Sequence, residues 1–107
     1  MAINKFYGML GLAKRAGKII SGETGCKEAV RFLKAYMVII AEDTGKNTFK
    51  NITDSCKFYN VPFFVIGTKE TLGRAIGNNF NAVMAITDEG LAKSIEKCIN
   101  ANINGGE

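Results

Sequence analysis

The sequence predicts a single α/β domain in which a mostly parallel sheet is covered by helices on both faces. Short apolar runs typical of buried strands alternate with amphipathic segments typical of helices, at intervals of roughly 20–25 residues. The chain has 107 residues, the size of one domain. Its content of 47% hydrophobic and 22% charged residues is ordinary for a globular fold. We therefore expect residues 1–107 to form one domain.

The first predicted helix spans 4–16, where apolar residues recur at the spacing of one helical face. These residues are Phe6, Met9, Leu10 and Ala13. Gly17 suits the C-terminal end of this helix, and residues 18–21 predict a short strand. The glycine-bounded turn 22–25 then leads into a second helix over about 24–34. The residues expected to face inward are Ala29, Val30 and Leu33.

The middle of the chain predicts two strands around a third helix. Residues 37–41 form a continuous apolar run, as in a strand that is buried on both faces. A polar turn and a helix follow within 44–59, with Asn47 or Thr48 as the expected N-cap. The apolar positions of this helix are Phe49, Ile52 and Cys56. Residues 63–66 predict a third buried strand.

The last third of the chain predicts a helix, a strand and a final helix. Thr68 is the expected cap of the fourth helix. The apolar residues of that helix are Leu72, Ala75 and Ile76. Residues 82–86 predict a fourth strand, and Thr87 or Asp88 is expected to cap the last helix. We expect the tail at about 102–107 to be flexible.

Functional residues are expected beyond the carboxyl ends of these strands, where ligands bind to open α/β sheets. In the predicted arrangement these ends correspond to the turns at 21–25, 42–48, 67–69 and 87–89.

The composition argues against several kinds of chemistry. The chain contains no histidine, which excludes Ser-His and Cys-His nucleophile pairs and histidine-ligated metals. Its three cysteines are far apart and lack Cys-x-x-Cys spacing, which argues against a disulfide framework and a zinc site. We therefore expect neither a histidine-dependent active site nor a metal site. No apolar run approaches the ~20 residues that span a bilayer, so we expect a cytoplasmic protein.

The positive charge is concentrated in the first third of the chain. Residues 1–34 carry seven basic and two acidic side chains, whereas the rest of the chain carries seven basic and eight acidic ones. A basic region on an otherwise neutral domain is typical of a protein that binds a polyanion. A solvated lysine-rich face is the alternative explanation.

Two neighbouring features give this charge a candidate site. Residues 14–18 form a tight basic cluster able to neutralise RNA phosphates. The turn 21–25 has two glycines before a helix, where free N–H groups favour an anion. Helix-end charges favoured by the macrodipole, and an ordinary strand-to-helix turn, remain the alternatives. The 44–48 segment lacks the spacing of a phosphate loop, and the Glu42–Asp43 pair is a weak candidate for a metal or acid site.

Four blocks of sequence, in order along the chain, resemble one known family. They are 10–18 (LGLAKRAGK), 21–23 (SGE), 41–43 (AED) and 72–77 (LGRAIG). Together they resemble the ribosomal protein family of the L-seven-Ae type, which binds kink-turn RNA, and in particular its short bacterial YlxQ-like branch. The resemblance implies a three-layer α/β/α sandwich around a four-stranded mixed sheet. It also implies RNA binding without catalysis or cofactor.

The resemblance further implies that the glycine turn and the second helix contact the RNA. The family pattern there is Gly-x-Asn-Glu-x-x-Lys, and Gly22 matches its glycine. Thr24, Gly25 and Glu28 stand where the family has Asn, Glu and Lys. Lys27 lies beside the expected lysine position but about 100° away around the helix.

Other RNA contacts are implied outside this turn. Lys69 matches a family lysine that contacts the RNA backbone, and Phe49 falls where the family has an apolar residue near the RNA. In the loop after Gly77, Phe80 and then Val83 are the residues suited to holding an extruded base, although Phe49 and Phe80 also suit a core.

We therefore expect non-catalytic binding of structured RNA, such as a kink-turn in ribosomal RNA or a riboswitch, by a monomer that is a candidate ribosome partner. A protein-interaction or scaffold module with a weakened RNA site is the alternative. The expected RNA-binding residues are Lys14, Arg15, Lys18, Gly22, Glu23, Thr24, Gly25, Lys27, Glu28, Phe49, Lys69, Phe80 and Val83.

Overall fold

A computed structural model describes residues 2–104 of the chain, and side chains from 4 to 101. Helices and strands alternate along the whole of this range. The elements are α1 (Ala2–Arg15), β1 (Ile19–Ser21), α2 (Glu23–Arg31), β2 (Met37–Ile40), α3 (Lys46–Tyr59), β3 (Phe63–Val65), α4 (Lys69–Ala75), β4 (Val83–Ile86) and α5 (Glu89–Asn104). Among residues 2–104, no helix combines the length and the apolar character needed to cross a membrane.

The four strands form one mixed sheet in the order β1-β4-β2-β3. Only β2 and β3 are parallel neighbours, with Ile39 opposite Phe64. The strand β4 runs antiparallel to both of its neighbours, so that Ala85 lies opposite Ile20 on one side and Val38 on the other. The expectation of a mostly parallel sheet was therefore wrong, and the mixed sheet implied by the family resemblance is confirmed.

Alternate residues of the central strands face two separate cores, which makes the domain a three-layer sandwich. Met37 and Ile39 pack towards α1, α4 and α5, together with Phe6 and Leu10 of α1. On the other face of the sheet, the core is built with α2 and α3. Its buried residues include Val38, Ile40, Cys26, Val30, Ile52 and Cys56. Burial on both faces explains the continuous apolar run of β2.

The reversed direction of β4 defines two ends of the sheet. We call the end at which β1, β2 and β3 finish and β4 begins the upper edge, and the opposite end the lower edge. The turns after β1, β2 and β3 lie at the upper edge, as does the 78–82 segment before β4. The 87–89 turn lies at the lower edge, so the expectation that all four strand ends share one edge was wrong.

Several local expectations are corrected by the structure. Helix α3 begins at Lys46 with Gly45 as its N-cap, rather than Asn47 or Thr48. Leu33 is 70% exposed rather than inward, because α2 ends at Arg31 and Leu33 adopts a positive φ of 58°.

The strand β3 also differs from expectation. The strand β3 is half-buried rather than buried, because it is an outer strand with a single hydrogen-bonded neighbour. Helix α5 continues to Asn104, and residues 105–107 of the expected tail lie outside the described range.

Candidate nucleic-acid interface

The turns at the upper edge are held together by hydrogen bonds between segments far apart in sequence. The N–H of Gly22 donates to the carbonyl of Val83 (3.2 Å), and the N–H of Glu42 donates to that of Gly67 (2.7 Å). The hydroxyl of Thr44 donates to the carbonyl of Ala82 (3.2 Å). The upper edge is therefore one continuous surface rather than a set of independent loops.

The glycine turn is built around a backbone conformation that favours glycine. Gly22 has φ 94° and ψ 154°, a region that other residues rarely adopt. It brings the chain from β1 into α2 within a single residue. Gly25 follows in the first turn of α2, with its Cα beside the side chain of Ile20.

Two helices begin at the upper edge with their first amides unsatisfied within the helix. In α2, the N–H of Cys26 donates to the carbonyl of Gly22 (3.0 Å), so the amides of 23–25 precede the first intrahelical bond. In α3, the N–H of Phe49 donates likewise to Gly45 (2.9 Å). Within the described side chains, none caps either helix. Such helix starts favour anions, because the free amides and the helix dipole point in the same direction.

The carboxylate of Glu23 joins these two helices. One of its oxygens accepts a hydrogen bond from the hydroxyl of Thr48 (2.7 Å), and the other accepts one from the amide of Asn51 (2.9 Å). Hydrogen bonds from Asn51 and then Thr48 hold the pKa of Glu23 below its ordinary value. Glu23 therefore fixes α2 against α3, and its oxygens are already engaged within the protein.

The 67–69 turn and the 78–82 loop form the other half of this surface. The N–H of Lys69 donates to the carboxylate of Asp43 (2.8 Å), and its carbonyl accepts from the N–H of Asn81 (2.9 Å). Asn81 is buried, and its side-chain amide donates to the carbonyl of Val83 (2.9 Å). Phe80 is 70% exposed on this anchored loop, which leaves its ring available for stacking on a base.

Three lysines at or near the upper edge carry charge that no internal ion pair uses. Among the described side chains, the ion pairs are Lys50–Asp54, Arg74–Glu70 and Lys93–Glu89. Lys27 of α2, Lys46 of α3 and Lys69 of α4 belong to none of them. Lys27 lines a groove of about 500 Å³ between α2 and α3, beside Thr24 and Glu28.

The structure brings together most of the residues expected from the sequence, but not all. Phe49, in the first turn of α3, is partly exposed and stays near the upper edge. Val83 is only 1% exposed, because its side chain packs into the core beneath α2. Its side chain is therefore removed from the candidate site.

The basic cluster 14–18 lies at the other end of the sheet. Lys18 precedes β1, and its carbonyl accepts a hydrogen bond from Thr87 (2.9 Å), which follows β4 at the lower edge. The three residues of β1 separate Lys18 from Gly22, which at four extended steps is a distance of about 13 Å. The expectation that Lys14, Arg15 and Lys18 border the glycine turn was therefore wrong, because β1 carries the chain across the sheet between them.

Sequence reasoning missed three residues that shape the upper edge. Thr44 and Asn81 join its loops, and Lys46 supplies charge beside the start of α3. The Gly45–Lys46 pair superficially resembles part of a phosphate loop, which hides its role at the start of α3. Its glycine, directly before a helical pattern, was the available signal for a helix start without a side-chain cap.

Comparisons with known proteins agree with this architecture. A family model described as the Ribosomal protein L7Ae/L30e/S12e/Gadd45 family matches residues 4–96. The chain is 38% identical over 91 residues to "RNA-binding protein YlxQ" of Bacillus subtilis (strain 168), covering 85% of this chain and 91% of that protein. It is 36% identical over 95 residues to a protein of the same name from Enterococcus faecium, covering 89% and 91%.

Two solved structures share the fold. A protein of unknown function from Bacillus halodurans superimposes with a TM-score of 0.87 at 34% identity, covering 90% of this chain and 97% of that one. The 15.5kD RNA binding protein of Giardia lamblia gives a TM-score of 0.76 at 22% identity, covering 92% and 85%. The α/β/α sandwich expected from the sequence blocks is thereby confirmed.

Proposed function

This chain belongs to the ribosomal protein L7Ae/L30e/S12e/Gadd45 family, and from that premise we propose that it binds structured RNA without catalysing a reaction. Its relatives in Bacillus subtilis and Enterococcus faecium are named as RNA-binding proteins. We propose that the bound element is a kink-turn, in ribosomal or regulatory RNA, and that one copy of the protein binds each site.

The observation that carries this proposal is the pair of uncapped helix starts at the upper edge. Phosphate groups are strong acceptors, and the amides of 23–25 in α2 and 46–48 in α3 are donors directed out of the helix ends. By contrast, α4 has a capping box formed by Thr68 and Thr71, and the first turn of α5 is capped by Asp88. Among α2 to α5, the helices without a side-chain cap are the two that Glu23 joins beside the glycine turn.

The side chains around these amides divide into two roles. Lys27, Lys46 and Lys69 supply charge for phosphates, which gives affinity without sequence preference. Phe80 supplies an exposed ring for an unpaired base. Thr24 and Gly25 have fewer polar atoms than the Asn and Glu of the family pattern, so we expect less discrimination among bases at this turn than that pattern gives.

A protein-interaction module with a weakened RNA site is the second candidate function. Glu28 favours it, because a carboxylate stands where the family has a lysine and would repel a nearby phosphate. The acidic side chains of Glu42 and Asp43 are also exposed at the upper edge. The Asp43 carboxylate already accepts a hydrogen bond from the N–H of Lys69, which leaves less of its charge to repel a phosphate.

A binding titration separates the two candidates. We would measure the affinity of the protein for a kink-turn RNA and for a straight duplex of equal length over a range of salt concentrations. The proposal expects preference for the kinked RNA, and expects Lys46→Gln and Lys69→Gln each to lower the slope of log affinity against log salt by about one. Lys97→Gln on α5 is the matched control and should change neither quantity. Equal weak binding to both RNAs would contradict the proposal.

A further inference from the structure

A second concentration of positive charge lies at the lower edge, away from the site just proposed. The N–H of Thr87 donates to the carbonyl of Lys18 (2.9 Å), and the N–H of Tyr36 donates to that of Ile86 (2.8 Å). The ends of β1, β4 and β2 are thus adjacent, at strand spacings of about 5 Å. Lys18 and Tyr36 therefore lie about 10 Å apart across this edge.

Part of this positive charge lies on the α2 side of the sheet. Lys18 directly precedes β1, and its carbonyl extends the pairing with the residue that follows β4. Ile20, Phe32 and Lys34 line one shallow hollow, and the guanidinium carbon of Arg31 lies 5.5 Å from the centre of the Phe32 ring. The basic residues at this edge are Lys18, Arg31 and Lys34, whereas Lys14 and Arg15 end α1 on the opposite face of the sheet, where Arg15 lines a groove with Lys97.

Acidic groups near this edge leave most of that charge uncompensated. Asp88 accepts a hydrogen bond from the N–H of Leu91, and Glu89 lies 3.6 Å from the ammonium of Lys93. Glu28 lines the end of the hollow nearer the upper edge. Among the described side chains, none of the three basic residues forms an ion pair.

Two aromatic rings are exposed among these cations. Phe32 is 62% and Tyr36 is 47% exposed, on the segment that joins α2 to β2. Leu33 between them has a positive φ, which turns the chain so that neither ring enters the core beneath α2. Exposed rings interleaved with Lys and Arg are typical of surfaces that stack single-stranded bases and neutralise the backbone beside them.

We propose that the lower edge is a second RNA-binding surface, which takes a single-stranded segment while the upper edge holds the structured element. Charge complementarity requires a polyanion, and the rings favour RNA over an acidic protein because bases offer flat faces for stacking. The length of β1 separates the two surfaces, so they would contact different parts of one RNA. This inference rests on the proposed function only in taking RNA as the ligand.

The test measures binding to the two surfaces separately. The protein is first saturated with kink-turn RNA, and a fluorescent twelve-nucleotide oligouridylate is then titrated while its anisotropy is followed. We expect the oligonucleotide to bind without displacing the kink-turn RNA. Lys18→Glu combined with Lys34→Glu should weaken oligouridylate binding about tenfold or more, and Phe32→Ala combined with Tyr36→Ala about fivefold. Both pairs should leave kink-turn affinity within about twofold of the unaltered protein.

Lys5→Glu combined with Lys97→Glu, on the α1 and α5 side, carries the same charge change and should leave oligouridylate binding nearly unaltered. Competition between the two RNAs, or insensitivity to the lower-edge variants, overturns the inference. Binding of oligoglutamate as tight as that of oligouridylate, unchanged by loss of the rings, would instead assign this edge to an acidic protein. If kink-turn RNA fails to bind, the proposed function fails, and the titration without it still decides the lower edge.

Discussion

Replacing Gly73 by alanine tests the close contact that positions the Phe80 loop. Gly73 lies in α4, and a Cβ atom added there would stand 2.8 Å from the backbone N and Cα of Phe80 and 2.9 Å from its carbonyl carbon. Ordinary carbon contacts lie near 3.5–4.0 Å, so the overlap is roughly 0.7 Å or more. Because the obstructing atoms are backbone, the loop must move as a unit.

The expected magnitude is a balance of two effects. Alanine gains about 1 kcal/mol of helix propensity over glycine, whereas overpacking of this kind costs about 1–3 kcal/mol, and rigid backbone favours the upper value. We expect a net loss of about 2 kcal/mol in the free energy of unfolding. For a domain of 107 residues this lowers the melting temperature by about 8 °C, at roughly 4 °C per kcal/mol.

Gly8→Ala is the matched control, because an added Cβ on this α1 glycine meets nothing within 4 Å. It should raise the melting temperature by about 2–4 °C. The assay is thermal unfolding followed by circular dichroism. A Gly73→Ala protein as stable as the unaltered one would refute the close approach of α4 to the loop. We also expect Gly73→Ala to weaken kink-turn binding at temperatures where it remains folded.

Three further predictions concern the site and the thiols. Glu28→Lys should strengthen kink-turn binding about tenfold at low salt and less at high salt, because it replaces a charge that repels phosphate by one that attracts it. Gel-shift titration measures this affinity, and an unchanged value would place position 28 away from the RNA phosphates. Glu23→Gln should lower the free energy of unfolding at neutral pH. Because the pKa of Glu23 is lowered in the folded protein, its carboxylate contributes fully to stability at any pH above the ordinary pKa of glutamate. The difference from the unaltered protein should disappear as the pH falls below about 4.3 through the lowered pKa, in pH-dependent melts. Cys98 should be the one thiol that reacts promptly with a disulfide reagent under native conditions. The other two are protected, because burial raises the pKa of Cys26 to about 12 and that of Cys56 to about 11. Rapid labelling of all three thiols would contradict this burial.

The sequence predicts the elements better than their directions. Every helix and strand lies close to its expected position, since apolar periodicity and capping residues such as Thr68 act locally. The direction of β4 was missed because the apolar run 83–86 reads the same in either direction. Helix α4, of seven residues, rises only about 10 Å, and Asn81 returns to the carbonyl of Lys69, so the chain enters β4 at the upper edge.

The position of a candidate site residue is predictable where it directly follows a strand. It is not predictable where it depends on how distant segments pack together. Gly22 and Lys69 follow strands that end at the same edge, and their placement was anticipated from sequence. Lys18 is only four residues from Gly22, yet it lies at the lower edge because the intervening residues are extended. The engagement of Glu23 by Thr48 and Asn51 depends on the packing of α2 on α3, which no local pattern indicates.

The outer strands of the sheet also bear on how the protein avoids aggregation. Both β1 and β3 have only three residues and pair on one side, so each leaves a short row of free backbone groups. A foreign strand could gain only about three hydrogen bonds at either border, too few to offset the entropy of its ordering. Pro62 stands directly before β3 and cannot donate a backbone hydrogen bond, which shortens that border further. The fold thus exposes polar turns and aromatic rings at the two ends of its sheet while offering little template for the addition of another strand.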